Sequence, residues 1–128
     1  MLINEYKENF ATTGNLNCAE KVLGLSNKVL DLKLDDNALK VASGFGAGMG
    51  SSHLCGAVAA AVMVLSLRYV KTIARESDIY KRENVLLKNI EEKLGSIMCK
   101  DLKEMFYNPQ VKCEPVILGV IEVLQENL

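Results

Sequence analysis

The chain has no tryptophan, only two prolines and a single histidine, and aromatic residues make up just 5% of its 128 residues. So few aromatic side chains leave little material for the stacking platforms that bind single-stranded nucleic acids. Positive and negative side chains are balanced, 15 against 16, and no stretch of the sequence is strongly basic. Because nucleic-acid binding requires a clustered basic face, we expect no nucleic-acid partner.

The sequence also lacks a long apolar run. The longest, from Leu54 to Leu67, contains about 14 residues and is interrupted by Ser66, whereas a helix that spans a membrane needs about 20. The N-terminal residues show neither the basic nor the apolar region of a signal peptide. We therefore expect a cytoplasmic protein without a membrane partner, in a compartment that keeps thiols reduced.

Linkers, repeats and strand signals are absent as well, so residues 1–128 are predicted to form one domain. Hydrophobic residues make up 49% of the chain, which is enough for a core without disulfides or metals. The apolar residues recur at helical rather than alternating spacing. The sequence predicts an all-α fold, a compact bundle of five to six helices.

The apolar run after Leu54 is rich in glycine and alanine and has no polar face. A helix that is apolar on every side is buried, and small side chains let its neighbours approach closely. We therefore predict that this helix lies at the centre of the bundle.

What the sequence does contain is four cysteines, each close to a predicted helix start. Helix starts are recognised here by residues that cap the first turn or favour its first position. Asn17 is the predicted cap directly before Cys18, Ser51 or Ser52 the one before Cys55, and Ser96 the one before Cys99. Pro115 is predicted to open the last helix, two residues after Cys113.

This placement favours thiolate chemistry. The exposed amides and the positive dipole end of a helix stabilise an anion, and a thiolate is an anion. Lys100 beside Cys99 and Lys112 beside Cys113 are further candidate cations near sulfur. Four such thiols could converge at one end or one cavity of a bundle, as redox-active groups or as metal ligands.

The spacing of the cysteines excludes some sites and leaves others open. No CxxC pair occurs, which excludes zinc ribbons and thioredoxin-type motifs. A long-range site with four thiolate ligands, one or two disulfide-forming pairs, and thiols that merely fill a core all remain compatible with the sequence.

Several segments together resemble the C_GCAxxG_C_C family of redox-active proteins. The similarity extends over about residues 15–115. It is carried by Asn17-Cys18-Ala19, GFGAGMG at 44–50, CGAVAA at 55–60, and then Cys99 and Cys113.

The resemblance implies that the family's four cysteines correspond to Cys18, Cys55, Cys99 and Cys113, and its motif Gly-Ala to Gly56 and Ala57. Ala60 stands where the motif has its last glycine, which adds a methyl group but removes no ligand. Relatives of the domain are joined to haem-binding segments in some cytochromes. The CxxCH motif for haem attachment is missing here, so haem is not implied.

Two features near Cys55 are candidate parts of the same site. Glycines can adopt positive φ and let the backbone approach sulfur closely, and we predict that Gly46, Gly48, Gly50 and Gly56 help to hold a cofactor in this way. His53 could supply a further ligand or a base, although an exposed loop histidine would look the same in the sequence.

The sequence thus favours a redox-active protein with four cysteines, working in electron transfer or thiol–disulfide exchange. An iron–sulfur cluster or another thiolate-bound metal is the candidate cofactor, and an enzyme of this kind would be an oxidoreductase. The alternative is a non-catalytic helical interaction domain with buried cysteines or a structural zinc site. The sequence names no redox partner, and a homodimer is compatible with a bundle of this size.

Overall fold

Helices form all of the regular secondary structure in residues 1–11 and 14–128, the part of the chain that the computed structural model describes. Within these ranges no strand occurs, and there are only two isolated backbone bridges. The α-helices are α1 (Leu2–Glu5), α2 (Cys18–Leu30), α3 (Asp36–Lys40), α4 (Gly56–Tyr69), α5 (Ile79–Leu94), α6 (Cys99–Phe106) and α7 (Glu114–Glu126).

The predicted all-α class is confirmed, but the predicted number of helices is wrong. The described residues contain seven α-helices rather than five or six. Two of these are very short, because α1 has four residues before it continues as a π-helix (Tyr6–Phe10), and α3 has five before a 3₁₀ turn (Val41–Phe45). Sequence periodicity does not separate such short turns from the helices and loops beside them.

The start of α2 is the one that the sequence predicts best. The Asn17 side chain accepts a hydrogen bond from the Glu20 amide at 2.9 Å, and the Glu20 carboxylate accepts one from the Asn17 amide at 2.9 Å. This reciprocal capping box makes Cys18 the first residue of the helix. Val22 and Leu25, one and two turns further on, are buried in the core.

The predicted caps of α4 and α6 are wrong. Neither Ser51 nor Ser52 caps α4, since both belong to a turn over Gly48–Ser52, and the N-cap position is occupied by Cys55. Ser96 lies two residues before the N-cap of α6; its hydroxyl accepts from the Met98 amide and donates to Asp101.

A backbone bridge aligns the starts of α4 and α6. The Cys55 amide donates to the Ile97 carbonyl at 2.9 Å, and the Cys99 amide donates to the His53 carbonyl at 2.6 Å. These bonds satisfy amides at two helix starts that have no side-chain cap. The same bonds fix Cys55 and Cys99 on neighbouring segments.

The core is built around the contacts of α4 with α2, α5 and α7. The residues from Gly56 to Ala61 are all buried, as are Val64 and Leu65. α5 and α7 contribute the apolar stripes expected from their periodicity, with Leu86, Ile90, Val120 and Ile121 fully buried. The place of α4 at the centre of the bundle stays a prediction. No helix in the described ranges combines the length and the apolar character needed to cross a bilayer.

A polar network crosses the interior where the N-terminal segment meets α2 and α7. The Lys21 ammonium contacts one Glu114 carboxylate oxygen at 2.6 Å, and the Tyr6 hydroxyl donates to the other. Tyr6 is fully buried, and the Lys21 side chain is 8% exposed. Burial and the neighbouring carboxylate raise the pKa of Tyr6, so its hydroxyl remains a donor. Each member therefore depends on Glu114.

We predict that Glu114→Ala lowers the free energy of unfolding by about 3 kcal/mol, because it leaves a buried ammonium without its counter-charge. The Tyr6 hydroxyl would lose its acceptor at the same time. Urea unfolding followed by circular dichroism measures the change.

Glu122→Ala is the matched control on the same helix. Glu122 pairs with Lys93 at 2.7 Å, but both side chains are about two-fifths exposed, at 42% and 40%. Solvent-exposed pairs of this kind contribute less than about 1 kcal/mol. Equal losses for the two variants would show that the network around Glu114 does not stabilise the fold as argued.

Candidate functional site

All four cysteines line one cavity of about 720 Å³. They reach it from the starts of four helices: Cys18 and Cys99 are the first residues of α2 and α6, and Cys55 and Cys113 occupy the N-cap positions of α4 and α7. The placement of the cysteines near helix starts is therefore as predicted. The remaining wall is mostly apolar and includes Leu16, Ala47, Leu102, Val111, Val116 and Ile117.

Two of these thiols contact each other. Cys18 and Cys55 share a hydrogen bond between their side chains, although neither is part of a disulfide. Cys55 is buried, at 5% exposure, whereas Cys18 is half-buried and faces the cavity. Both residues line the cavity, and Cys18 is the more accessible of the two to a ligand there.

The surroundings of Cys18 favour its thiolate. The hydrogen bond from Cys55 lowers the pKa of Cys18 to about 6, against the opposing effect of burial, and hydrogen bonds from the backbone amides of Ala47, Ala57 and Ala19 add to this. Ala19 and Ala57 lie in the first turns of α2 and α4, so two helix starts point donors at one sulfur. Donation to the charged form of a group stabilises that form.

Cys55 is perturbed in the opposite direction. Its hydrogen bond to Cys18 and its burial both raise the pKa of Cys55. Two thiols this close cannot both ionise readily, since like charges repel in a buried site. One proton is therefore held between them, on Cys55, while Cys18 carries the charge.

Cys99, which is buried, and Cys113, which is half-buried, lack such donors to sulfur among the described residues. Burial raises the pKa of each, and nearby sulfur charge adds to the effect. The positive charge of Lys103 opposes this rise in pKa at both Cys99 and Cys113. Lys100 and Lys112, the candidates suggested by the sequence, do not contribute to the pKa of either thiol. Lys103 follows Cys99 by four residues, one turn along the same face of α6, a spacing that could have identified it.

The four thiols as placed do not form a metal-ligand set. Thiolates suit iron–sulfur clusters and zinc. In residues 1–11 and 14–128, however, no group of three or more histidine, cysteine, aspartate or glutamate side chains is arranged to hold a metal ion. A hydrogen bond joins Cys18 to Cys55, and metal ligation by all four cysteines stays a prediction.

The four glycines assigned to a cofactor lie behind the cavity wall or away from it, and a cofactor role for them stays a prediction. A Cβ on Gly56 would lie 2.8 Å from the Cys18 sulfur, and one on Gly48 would lie 2.7 Å from the Cys99 Cβ. A Cβ on Gly46 would collide with the Asn17 side chain, whereas Gly50 has open space around it. Three of the four positions therefore require glycine for close packing.

The segment around Gly48 has an uncommon backbone. Ala47, Gly48, Met49 and Gly50 all have positive φ, between 54° and 67°, so the chain makes a short left-handed turn. Alanine and methionine adopt this conformation at a cost of roughly 1–2 kcal/mol each. The turn places the Ala47 amide where it donates to Cys18. Glycine spacing alone could not have identified an alanine as the donor.

His53 is exposed and does not line the cavity. Its backbone rather than its imidazole connects it to the site, through the bond from the Cys99 amide. Of the cavity's charged side chains, Lys21 and Glu114 were not identified from the sequence as belonging to the site. Glu114 directly follows Cys113, which was the available signal.

A protein-family model described as "Putative redox-active protein (C_GCAxxG_C_C)" matches residues 16–127. The match includes all four cysteines and covers most of the chain. Searches of the curated proteins and of the solved structures returned no match.

We predict that Cys18 is alkylated by iodoacetamide as its thiolate forms, with a midpoint near its pKa of about 6. Cys55→Ala removes the main cause of that lowered pKa, so the midpoint should rise towards the ordinary thiol value of about 8.5. Alkylation rates between pH 5 and pH 9, with mass spectrometry to locate the label, measure both midpoints. A wild-type midpoint above that of Cys55→Ala would contradict the assigned direction of the hydrogen bond.

We also predict that Gly56→Ala raises the midpoint for Cys18, because the new methyl group displaces the sulfur or the Phe45 carbonyl that lies 2.5 Å from it. Gly24→Ala in α2 is the control, since its Cβ would meet only Phe10 at an ordinary 3.5 Å. That control should stabilise α2 by up to about 1 kcal/mol and leave the Cys18 midpoint unchanged. The same alkylation profile distinguishes the two variants, and identical profiles would refute the packing argument.

Proposed function

The chain belongs to the C_GCAxxG_C_C family, and from this premise we infer that it carries out thiol–disulfide exchange with Cys18 as the nucleophile and Cys55 as the resolving thiol. The observation that carries this proposal is the hydrogen-bonded pair in which Cys55 keeps a proton and Cys18 is favoured as the thiolate. The thiolate is the reactive form of cysteine.

In the first step, the Cys18 thiolate attacks one sulfur of a disulfide substrate in the cavity. A new sulfur–sulfur bond forms between Cys18 and that sulfur, the substrate's own sulfur–sulfur bond breaks, and the second substrate sulfur leaves as a thiolate. The attack is feasible because Cys18 faces the cavity and is ionised near neutral pH.

In the second step, Cys55 resolves the mixed disulfide. Once Cys18 is bonded to the substrate it carries no charge, so the larger of the two effects that raise the pKa of Cys55 is removed and only burial remains. The proton of Cys55 passes to a departing substrate thiolate, and the resulting Cys55 thiolate attacks the Cys18 sulfur. A Cys18–Cys55 disulfide forms, the second substrate thiolate takes its proton from water, and the substrate has thus gained two electrons and two protons as two thiols.

The cycle closes when a dithiol reductant reduces the Cys18–Cys55 disulfide by the reverse pair of exchanges. The direction of net transfer depends on the reduction potentials of the two partners. A redox partner carrying a dithiol or a disulfide is thus required by the chemistry, and electron transfer in this proposal means transfer of two electrons through sulfur.

Cys99 and Cys113 are assigned no step in this exchange. Their raised pKa values keep them protonated near neutral pH, so they are poorer nucleophiles than Cys18. Their presence on the same cavity wall supports the alternative that a thiolate-bound metal occupies the cavity after the thiols rearrange. Metal content after anaerobic purification distinguishes that alternative from a dithiol.

We predict that Cys18→Ser abolishes reduction of a generic aromatic disulfide, since its nucleophile is lost, and that Cys55→Ser allows the first step but traps the mixed disulfide. Absorbance of the released aromatic thiol measures turnover, and intact mass spectrometry detects the trapped adduct. Oxidation should lower the mass of the wild-type protein by that of two hydrogen atoms, and a peptide map should show Cys18 linked to Cys55.

Cys99→Ser is the matched control and should retain exchange. Far-ultraviolet circular dichroism should show unchanged helical content in all three variants, because each replaces one sulfur by one oxygen and leaves the aliphatic residues of the core in place. Turnover by Cys18→Ser, or a disulfide that links a different pair of cysteines, would refute the assigned roles. Stoichiometric iron that is lost in each of the four single cysteine variants would favour the metal centre instead.

A further inference from the structure

We propose that the cavity binds disulfides composed of an aliphatic chain ending in a carboxylate, with the ammonium group of Lys103 as the partner of that carboxylate. This inference rests on the exchange chemistry of Cys18 and Cys55 and names the class of substrate that reaches them.

The size and the lining of the cavity favour a small molecule with an apolar body. At about 720 Å³ it lies within the range of about 300–1,000 Å³ that is typical of small-molecule sites. Its wall is largely aliphatic, from residues of α6, α7 and the segments that precede α2 and α7. An aliphatic chain is stabilised by leaving water for such a wall, whereas a hydrophilic disulfide gains little from it.

The charged side chains of the cavity determine whether a negative or a positive charge is favoured at the polar end of the ligand. Four of them line it: Lys21, Lys103, Lys112 and Glu114. Lys21 and Glu114 neutralise each other, and the second oxygen of Glu114 is occupied by the Tyr6 hydroxyl. That carboxylate is therefore unavailable to a cationic ligand.

The other two lysines leave the cavity with positive charge. Among the described residues neither Lys103 nor Lys112 forms an ion pair or a side-chain hydrogen bond, and both are exposed to solvent. An anionic ligand would gain a charge-assisted contact without breaking an existing one. A cationic ligand would face two uncompensated ammonium groups.

Lys103 is the better placed of the two for a ligand that reaches the thiols. It lies on α6 one turn after Cys99, beside Leu102, which is buried against the apolar wall. Its charge acts on both Cys99 and Cys113, which shows that the ammonium lies on the thiol side of the cavity. A carboxylate held there leaves the rest of an aliphatic chain to follow the wall towards Cys18.

The test compares lipoate with lipoamide, which contain the same cyclic disulfide and the same chain and differ only in carboxylate against neutral amide. We expect the wild-type protein to exchange with lipoate at a KM about three- to fivefold lower than with lipoamide, the size of effect that an ion pair with a solvent-exposed lysine supplies. Lys103→Gln should remove that preference. Lys100→Gln, an exposed residue of α6 outside the cavity, should keep it.

A binding measurement on a variant that cannot react tests this inference separately from the exchange proposal. In Cys18→Ser, calorimetry should show octanoate binding about three- to fivefold more tightly than octanamide. Adding Lys103→Gln should equalise the two affinities. If octanoate binds selectively while no variant exchanges thiols, the exchange proposal fails and the carboxylate site stands.

Equal KM values for lipoate and lipoamide, together with equal or undetectable binding of octanoate and octanamide, would overturn the carboxylate site. Continued exchange of the wild-type protein with an aromatic disulfide would then leave the roles of Cys18 and Cys55 intact. A preference for lipoate that survives Lys103→Gln but disappears in Lys112→Gln would overturn the assignment to Lys103.

Discussion

The start of α2 lies directly against the start of α4, and the chemistry of the protein depends on this contact. Gly56 makes the approach feasible, because any side chain there would overlap the Phe45 carbonyl and the Cys18 sulfur. With the two helix starts so close, Cys55 donates to Cys18, and amides of both helices donate to the same sulfur. Removing the glycine would therefore change the acidity of a thiol that belongs to a different helix.

The backbone before α4 is strained in support of the same contact. Four consecutive residues from Ala47 to Gly50 have positive φ, two of which are not glycine. Strain of this kind persists only where the surrounding structure holds it in place. Here the His53 amide donates to the Gly48 carbonyl at 3.0 Å, and the bridge to α6 follows immediately. The turn aims the Ala47 amide at Cys18 and fixes the position of Cys99.

The sequence was sufficient for the helical class, for the capping box at Asn17 and for the four cysteines near helix starts, because caps and periodicity are local features. It was insufficient for the start of α4, where two serines looked like caps but the chain adopts a left-handed turn instead. It was also insufficient for the pairing of the thiols. Which cysteine contacts which depends on how separate helices pack. By contrast, the choice of Lys103 over Lys100 was within reach of the sequence, because Lys103 follows Cys99 by one turn of the same helix.

The four thiols show why equal local placement does not give equal chemistry. Each lies at a helix start, where the dipole favours a thiolate, yet burial opposes ionisation at all four. At Cys99 and Cys113 burial dominates, and the thiols keep their protons. At Cys18 the balance reverses because a neighbouring thiol and three amides donate to the sulfur. Cys55 thus makes Cys18 more acidic by donating a hydrogen bond to its thiolate. The same hydrogen bond keeps the thiol that we propose as the resolving group in contact with the sulfur that it would attack.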